Sequence, residues 1–161
     1  MPLPPRVVLA SDHAGFALKE EIKHHLLGDG IDAIKNVTKQ HLSQRGIDVI
    51  DVGTFSADPV DYPAIMRSGA AAVLEQQCPG IFFGGSGNGE AMAANKVRGI
   101  RAALVYSDDS ARLARAHNNA NVMTLGGRLT TPEDAKRFVD IFLATDFEGG
   151  RHEARIQDLE P

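Results

Sequence analysis

The sequence predicts an α/β fold: a three-layer αβα, Rossmann-like domain built on a doubly wound, five-stranded parallel sheet. Three observations carry this reading. Short apolar runs recur along the chain, helix-length segments separate them, and the runs end on polar or glycine-rich loops such as Ser11-Asp12-His13-Ala14-Gly15 and Gly126-Gly127. Runs this continuously apolar suit strands covered on both faces, as parallel strands are, with right-handed crossovers between them. Ligands of such sheets collect beyond the carboxyl ends of the strands. The loops after Ala10, Phe83 and Leu125 are therefore where chemistry is expected.

Each element has its own warrant. Pro2, Pro4 and Pro5 keep the start extended up to the first strand, Arg6-Val7-Val8-Leu9-Ala10. In the helix Phe16 to Leu27, Phe16, Leu18, Ile22, Leu26 and Leu27 form a dry stripe, with Lys19, Glu20, Glu21 and Lys23 on the wet face. Gly28 and Gly30 stop it. Two segments then compete for the second strand, because Gly30-Ile31-Asp32-Ala33-Ile34 echoes Gly46-Ile47-Asp48-Val49-Ile50. The later one, Ile47 to Val52, is preferred, since Val52-Gly53-Thr54 closes it as a strand-to-loop turn should. The earlier copy, with Lys35, Lys39 and Arg45, reads as a solvent-facing excursion, and the echo is too short for a repeat architecture.

Pro63 opens a helix that runs through Ala70-Ala71-Ala72 to about Leu74. Ile81-Phe82-Phe83 is the third strand, and the helix after its loop starts near Glu90 and carries Met92, Ala93, Ala94 and Lys96. Ile100 to Val105 is a strand, Asp108 to Ala116 a helix, and Val122 to Leu125 the fifth strand. Thr131-Pro132-Glu133 signals the last long helix, with Phe138, Ile141, Phe142 and Leu143 on its buried side.

Composition narrows the function classes. The chain has 161 residues, 43% hydrophobic and 24% charged, which suits one globular domain spanning 1–161. The net charge of -4 argues against a nucleic-acid surface. Cys78 is the single cysteine, so neither an intramolecular disulfide nor a multi-cysteine zinc site is available, and a reducing compartment fits. No apolar run approaches the roughly 20 residues that span a bilayer. The start, MPLPPRVVLAS, is too short in apolar residues for a signal peptide. A cytoplasmic location is expected.

The densest motif is Gly84-Gly85-Ser86-Gly87-Asn88-Gly89-Glu90, between a strand and a helix. Its glycines let backbone N–H groups converge on an anion or an enolate oxygen, helped by the helix N-terminus. The plain structural account is a tight strand-to-helix turn. A dinucleotide site is a further account, with Asp108 about 20 residues on, but the Gly-x-Gly-x-Gly spacing is one residue short and follows the third strand. No Gly-Lys-Ser/Thr ends the loop, which rejects a P-loop. Glu90 at the first helical turn is either a helix-start charge or, beside such a loop, a general base.

Asp12-His13 and His117-Asn118-Asn119 are polar clusters expected on one sheet edge. The histidines lack His-x-x-x-His or His-x-His spacing, and His24-His25 lie on different sides of a helix, so no metal site is expected. Cys78 precedes its strand and reads as a bystander thiol. Arg151 and Arg155, four apart, share a face if the tail is helical, and either clamp a phosphate or pair with glutamates in solvent.

Together these motifs resemble the type B ribose-5-phosphate isomerases, a family that includes the subunits of galactose-6-phosphate isomerase. The resemblance rests on Ser11-Asp12-His13-Ala14-Gly15-Phe16-Ala17-Leu18-Lys19, Asp61-Tyr62-Pro63, Gly85-Ser86-Gly87-Asn88-Gly89 and Ala93-Ala94-Asn95-Lys96. It continues through Gly99-Ile100-Arg101-Ala102, His117-Asn118-Asn119-Ala120-Asn121, Gly126-Gly127-Arg128 and Gly150-Arg151-His152-Glu153-Ala154-Arg155. Relative to the family, residues 29–45 look like an insertion. Many members carry a cysteine base where Gly84 stands here; this chain resembles the branch with a glutamate at the position of Glu90, and Cys78 does not replace the missing thiol.

The resemblance implies a homodimer or tetramer with sites shared between subunits, the tail 147–161 reaching a partner, and aldose–ketose isomerisation of ribose 5-phosphate without a cofactor. By resemblance Glu90 is the base, and His117 opens the sugar ring near Asp12. Ser86, Asn118 and the backbone of Gly85, Gly87, Asn88 and Gly89 stabilise a cis-enediolate. His13, Arg128, Arg151 and Arg155 hold the phosphate, and Tyr62 lines the pocket. Two other readings stand beside this one: an isomerase of a hexose 6-phosphate or tetrose 4-phosphate, and a non-catalytic phosphosugar- or nucleotide-binding module. The second would lack the acid/base set of Glu90, Ser86 and His117.

Overall fold

In the computed structural model, which describes residues 3–28 and 47–159, the five apolar runs line up as one all-parallel sheet. Its strands are β1 (Arg6–Ser11), β2 (Asp48–Asp51), β3 (Gly80–Gly84), β4 (Ala102–Leu104) and β5 (Val122–Gly126), in the order β2-β1-β3-β5-β4. The helices are α1 (Phe16–Leu27), α2 (Tyr62–Gln76), α3 (Asn88–Ala94), α4 (Asp108–Ala116), α5 (Pro132–Ala144) and α6 (Arg151–Gln157). From β1 the chain steps outward to β2, then crosses back to β3 on the other side. The crevice beyond the ends of β1 and β3 is thus the topological switch point, where open sheets of this kind take their ligands.

Side-chain alternation along the strands builds two cores. Val7, Leu9, Ile81, Phe83, Met123 and Leu125 face α1, α4 and α5, which contribute Leu18, Ile22, Leu26, Ala111, Phe138, Val139 and Phe142. Val8, Ala10, Phe82 and Val122 face α2 and α3, with Met66, Ala70, Val73 and Ala94. This is a three-layer αβα, Rossmann-like arrangement. Phe82 and Phe83 are fully buried on opposite faces, so truncating either to alanine is expected to cost about 3–5 kcal/mol.

Several boundaries differ from the sequence reading. The second strand is Asp48–Asp51, paired in parallel with β1 from Arg6 to Leu9. The competing copy Gly30 to Ile34 and the insertion 29–45 lie outside the described residues. Helix α3 starts at Asn88, two residues before Glu90, because Gly87 takes the left-handed conformation (φ 82°) as its N-cap; it ends at Ala94, so Lys96 lies past it. Strand β4, at the sheet edge, shrinks to Ala102–Leu104.

Lys19 is the clearest correction. Expected on the wet face of α1, it is fully buried. Its ammonium donates to Asp51 at 2.6 Å and to Glu20 at 2.8 Å, and lies 5.5 Å from the rings of Phe16 and Phe55. Charge pairing at the end of β2 overrides helix periodicity here, since a buried ammonium persists only when its donors are matched.

Candidate active site

Two loops converge at the switch point. After β1, Asp12 is nearly buried; its Oδ1 accepts the Gly15 N–H at 2.9 Å, and its own N–H donates to the Phe83 carbonyl at 3.2 Å. This turn aims the carboxylate side of the loop toward β3. Gly15 is required there, because a Cβ would collide with the backbone of Phe83 and Gly84. His13 accepts the Val60 N–H at Nδ1, 3.2 Å away.

After β3, Ser86 Oγ accepts the backbone and side-chain N–H groups of Asn88, both at 3.3 Å, and Gly87 turns the chain into α3. Glu90 therefore occupies the first turn of α3, only 3% exposed. Burial pushes its carboxyl above the usual glutamate range and the nearby Asp12 charge adds to this, while backbone N–H groups of Glu90 and Gly87 pull the other way. A carboxyl with its pKa raised by burial is a stronger base than an ordinary glutamate, as a group that takes and returns a proton requires. Any side chain at position 84 would overlap the Glu90 carboxyl, so glycine at 84 and glutamate at 90 go together.

These groups line an open cavity of about 440 Å³ formed by Asp12, His13, Tyr62, Gly85, Gly89 and Glu90 with Ser86, Arg128, Ala14 and Leu129. The Tyr62 ring lies against Gly89, and the Arg128 guanidinium against Gly85, whose carbonyl accepts the Arg128 N–H at 3.2 Å. Of the expected residues, the fold brings together Asp12, His13, Tyr62, Gly85, Ser86, Gly89, Glu90 and Arg128, with Gly87 and Asn88 in the same loop.

The rest lie elsewhere. His117 caps the C-terminal end of α4, which runs back against the strands, so it sits at the amino edge of the sheet. Asn121 in the same segment accepts the N–H of Gly80, the first residue of β3, on its backbone carbonyl at 2.8 Å. His13 and His117 are therefore on opposite edges, contrary to the sequence expectation, a strand length of roughly 15 Å apart. With His117 are the exposed Asn118 and the helix α6, which carries the exposed Arg151 and Arg155.

This second cluster contains two residues that the sequence reading gave no role. His152 is buried and stacks on His117, with ring centroids 4.3 Å apart and planes within 13°. Glu148 Oε2 lies 3.7 Å from His117 Nε2. Burial holds His152 below the usual histidine range, and the charges of His117, Arg151 and Arg155 lower it further. Donor atoms of His117, Glu148 and His152 fall within 4.8 Å of one another, the spacing of a metal-ligand set. In near-parallel stacked rings, however, the in-plane lone pairs run side by side and do not meet at one ion, and two arginines flank them. No local spacing in the sequence signals this stack.

A family model described as Ribose/Galactose Isomerase matches residues 29–159. Among curated proteins, the chain is 44% identical to a ribose-5-phosphate isomerase B of Mycolicibacterium paratuberculosis over 157 residues, covering 96% of this chain and 89% of that one. It is 39% identical to the ribose-5-phosphate isomerase B of Escherichia coli, covering 96% and 93%. The solved ribose 5-phosphate isomerase rpib of Thermotoga maritima superposes with a TM-score of 0.84 at 45% identity, covering 96% of this chain and 97% of that one. A Mycoplasma genitalium ribose-5-phosphate isomerase B with bound ribulose-5-phosphate gives 0.81 at 38% identity, covering 96% and 93%.

Proposed function

The chain belongs to the Ribose/Galactose Isomerase family, and from that premise we propose that it interconverts ribose 5-phosphate and ribulose 5-phosphate through a cis-enediolate, with Glu90 as the base. It is an intramolecular oxidoreductase: C1 gains what C2 loses, so no external electron acceptor is needed. The observation that carries the mechanism is the buried Glu90 carboxyl, raised in pKa, in the cavity at the switch point.

In this reading Glu90 takes the proton from C2 of the open-chain aldose and returns it to C1. Negative charge on the enediolate oxygens meets Ser86 and the backbone N–H groups of Gly85 to Gly89, donors fixed before the charge develops. The phosphate lies against His13 and Arg128. Ring opening needs a second acid/base near Asp12, and the His117 of the same chain is a strand length away. The site is therefore completed by a second copy, which supplies His117, Asn118, Arg151 and Arg155 through its amino edge and its tail 147–161.

The working unit is accordingly a homodimer or a tetramer of single-domain chains. A cytoplasmic location fits the single thiol, and among the described residues no helix is long and apolar enough to cross a membrane. Ketose formation from ribose 5-phosphate, with and without EDTA and beside a hexose 6-phosphate and a tetrose 4-phosphate, tests the reading. Chelator-insensitive turnover that favours the pentose supports it. Binding without turnover would return the chain to the phosphosugar-binding modules.

A further inference from the structure

The segment that carries His117 and Asn118 is held from outside by an arginine that has no part in the cavity. Arg101, just before β4, donates from Nε to the carbonyls of Asn118 (3.2 Å) and Asn119 (3.0 Å), and from a terminal nitrogen to Asn119 at 2.7 Å. Its own backbone N–H donates to Asn121 Oδ1 at 2.8 Å, and Asn121 Nδ2 donates to the Gly99 carbonyl at 2.8 Å. The strap 99–101 and the strap 118–121 are thus interlocked by five hydrogen bonds.

The turn needs such a clamp. Helix α4 ends at Ala116, and backbone N–H groups take the carbonyls of its last turn, so the guanidinium acts on the two carbonyls beyond it, those of Asn118 and Asn119. Asn119 is left-handed (φ 44°), a conformation asparagine adopts more readily than other L residues and that the bonds to its carbonyl and side chain hold in place here. Arg115 grips the same turn from the other side, donating to Asn119 Oδ1 at 3.0 Å and to the Ala120 carbonyl at 2.6 Å. The two guanidiniums are close enough that the charge of Arg101, after burial, holds Arg115 below the usual arginine range.

We propose that Arg101 is a positioning residue for ring opening: by clamping the Asn118 and Asn119 carbonyls it sets where the His117 imidazole is presented. This rests on the reading of His117 given above. It makes a prediction that a general stabilising role does not, because the two half-reactions can be read separately. Ribulose 5-phosphate has its carbonyl at C2 and its phosphate on O5, so it forms no five-membered ring. Its enolisation by Glu90, seen as deuterium entering C1 from D2O, requires no ring opening.

Arg101→Met keeps an unbranched apolar stem and removes the donors. It is expected to lower kcat for ribose 5-phosphate by about 10- to 100-fold, the effect of a small misplacement of a catalytic group, with KM within about twofold. C1 deuterium exchange into ribulose 5-phosphate, which uses Asn118 on the same strap but not His117, should fall by no more than about fivefold, the worth of one hydrogen bond, so the two losses stay unequal. Arg101→Lys, which retains one donor, should show the same split at a smaller size, and it carries the test if the methionine variant does not fold. Parallel loss of both activities, or loss of neither, overturns the proposal. A wild-type protein that does not isomerise ribose 5-phosphate overturns the functional reading and this inference together; an active wild type with no split removes only the role of Arg101.

Discussion

The two edges of one sheet hold different chemical groups. At the carboxyl edge, glycines bring backbone N–H groups and a buried carboxyl into a cavity of about 440 Å³. At the amino edge, two stacked imidazoles and the exposed Arg151 and Arg155 stand on helix ends, beside larger cavities of about 530 and 630 Å³ that contain neither Glu90 nor Ser86. One edge holds the carboxyl proposed as the enolisation base, the other the imidazole proposed for ring opening. Each also holds arginines suited to a phosphate, Arg128 at the carboxyl edge and Arg151 and Arg155 at the amino edge. Cavity size alone would point to the amino edge, away from Glu90. The difference teaches that the length of a strand separates the groups that the proposed reaction brings to adjacent atoms of one sugar.

The sharpest way to break the comparison is Glu90→Gln. It preserves shape and removes the base, so kcat should fall by about 10²–10⁴-fold with KM little changed, for ring-closed and acyclic substrates alike. Steady-state kinetics and C1 deuterium exchange should agree; retained exchange would dissociate Glu90 from the base. His117→Ala should lower ribose 5-phosphate turnover by about 10²-fold while sparing that exchange. Equal loss in both assays would place His117 in enolisation and dissolve the division of labour between the edges.

Smaller effects refine the picture. Arg151→Ala or Arg155→Ala should weaken substrate affinity by about 10- to 100-fold, the worth of one charge-assisted contact, with kcat less affected. Unchanged kinetics in both would reduce the pair to a solvated tail. Glu90 also leaves a mark on stability. Its folded pKa is raised, so its contribution is fully present below the usual glutamate range and is lost as pH rises through the folded value. Glu90→Gln should therefore melt like wild type at acidic pH and a few degrees higher at neutral pH. A scanning-calorimetry difference that does not change with pH would contradict this.

Much of this was legible from the residues. Apolar runs such as Ile81-Phe82-Phe83 have no other place than a doubly covered strand, and the turn at Val52-Gly53-Thr54 selected the strand that pairs with β1. The glycine density at 84–89 pointed to the cavity that contains Glu90. Lys19 was misplaced because helix periodicity takes no account of Asp51, 32 positions away. The edge of His117 was misread because proximity to a strand in sequence was taken without the reversal that each helix imposes: residues after α4 return to the amino edge. The His117–His152 stack joins segments whose approach depends on α6 folding back, which no local pattern encodes.

The split between edges has one direct measurement. Glu90→Gln and His117→Ala chains, each nearly inactive alone, are mixed, dissociated and reassociated. If sites form between the carboxyl edge of one copy and the amino edge of another, half of the dimers are mixed and each has one intact site, so activity should rise to about one quarter of wild type. Subunit exchange confirmed by mass, with activity remaining at the level of the parents, would contradict the shared site.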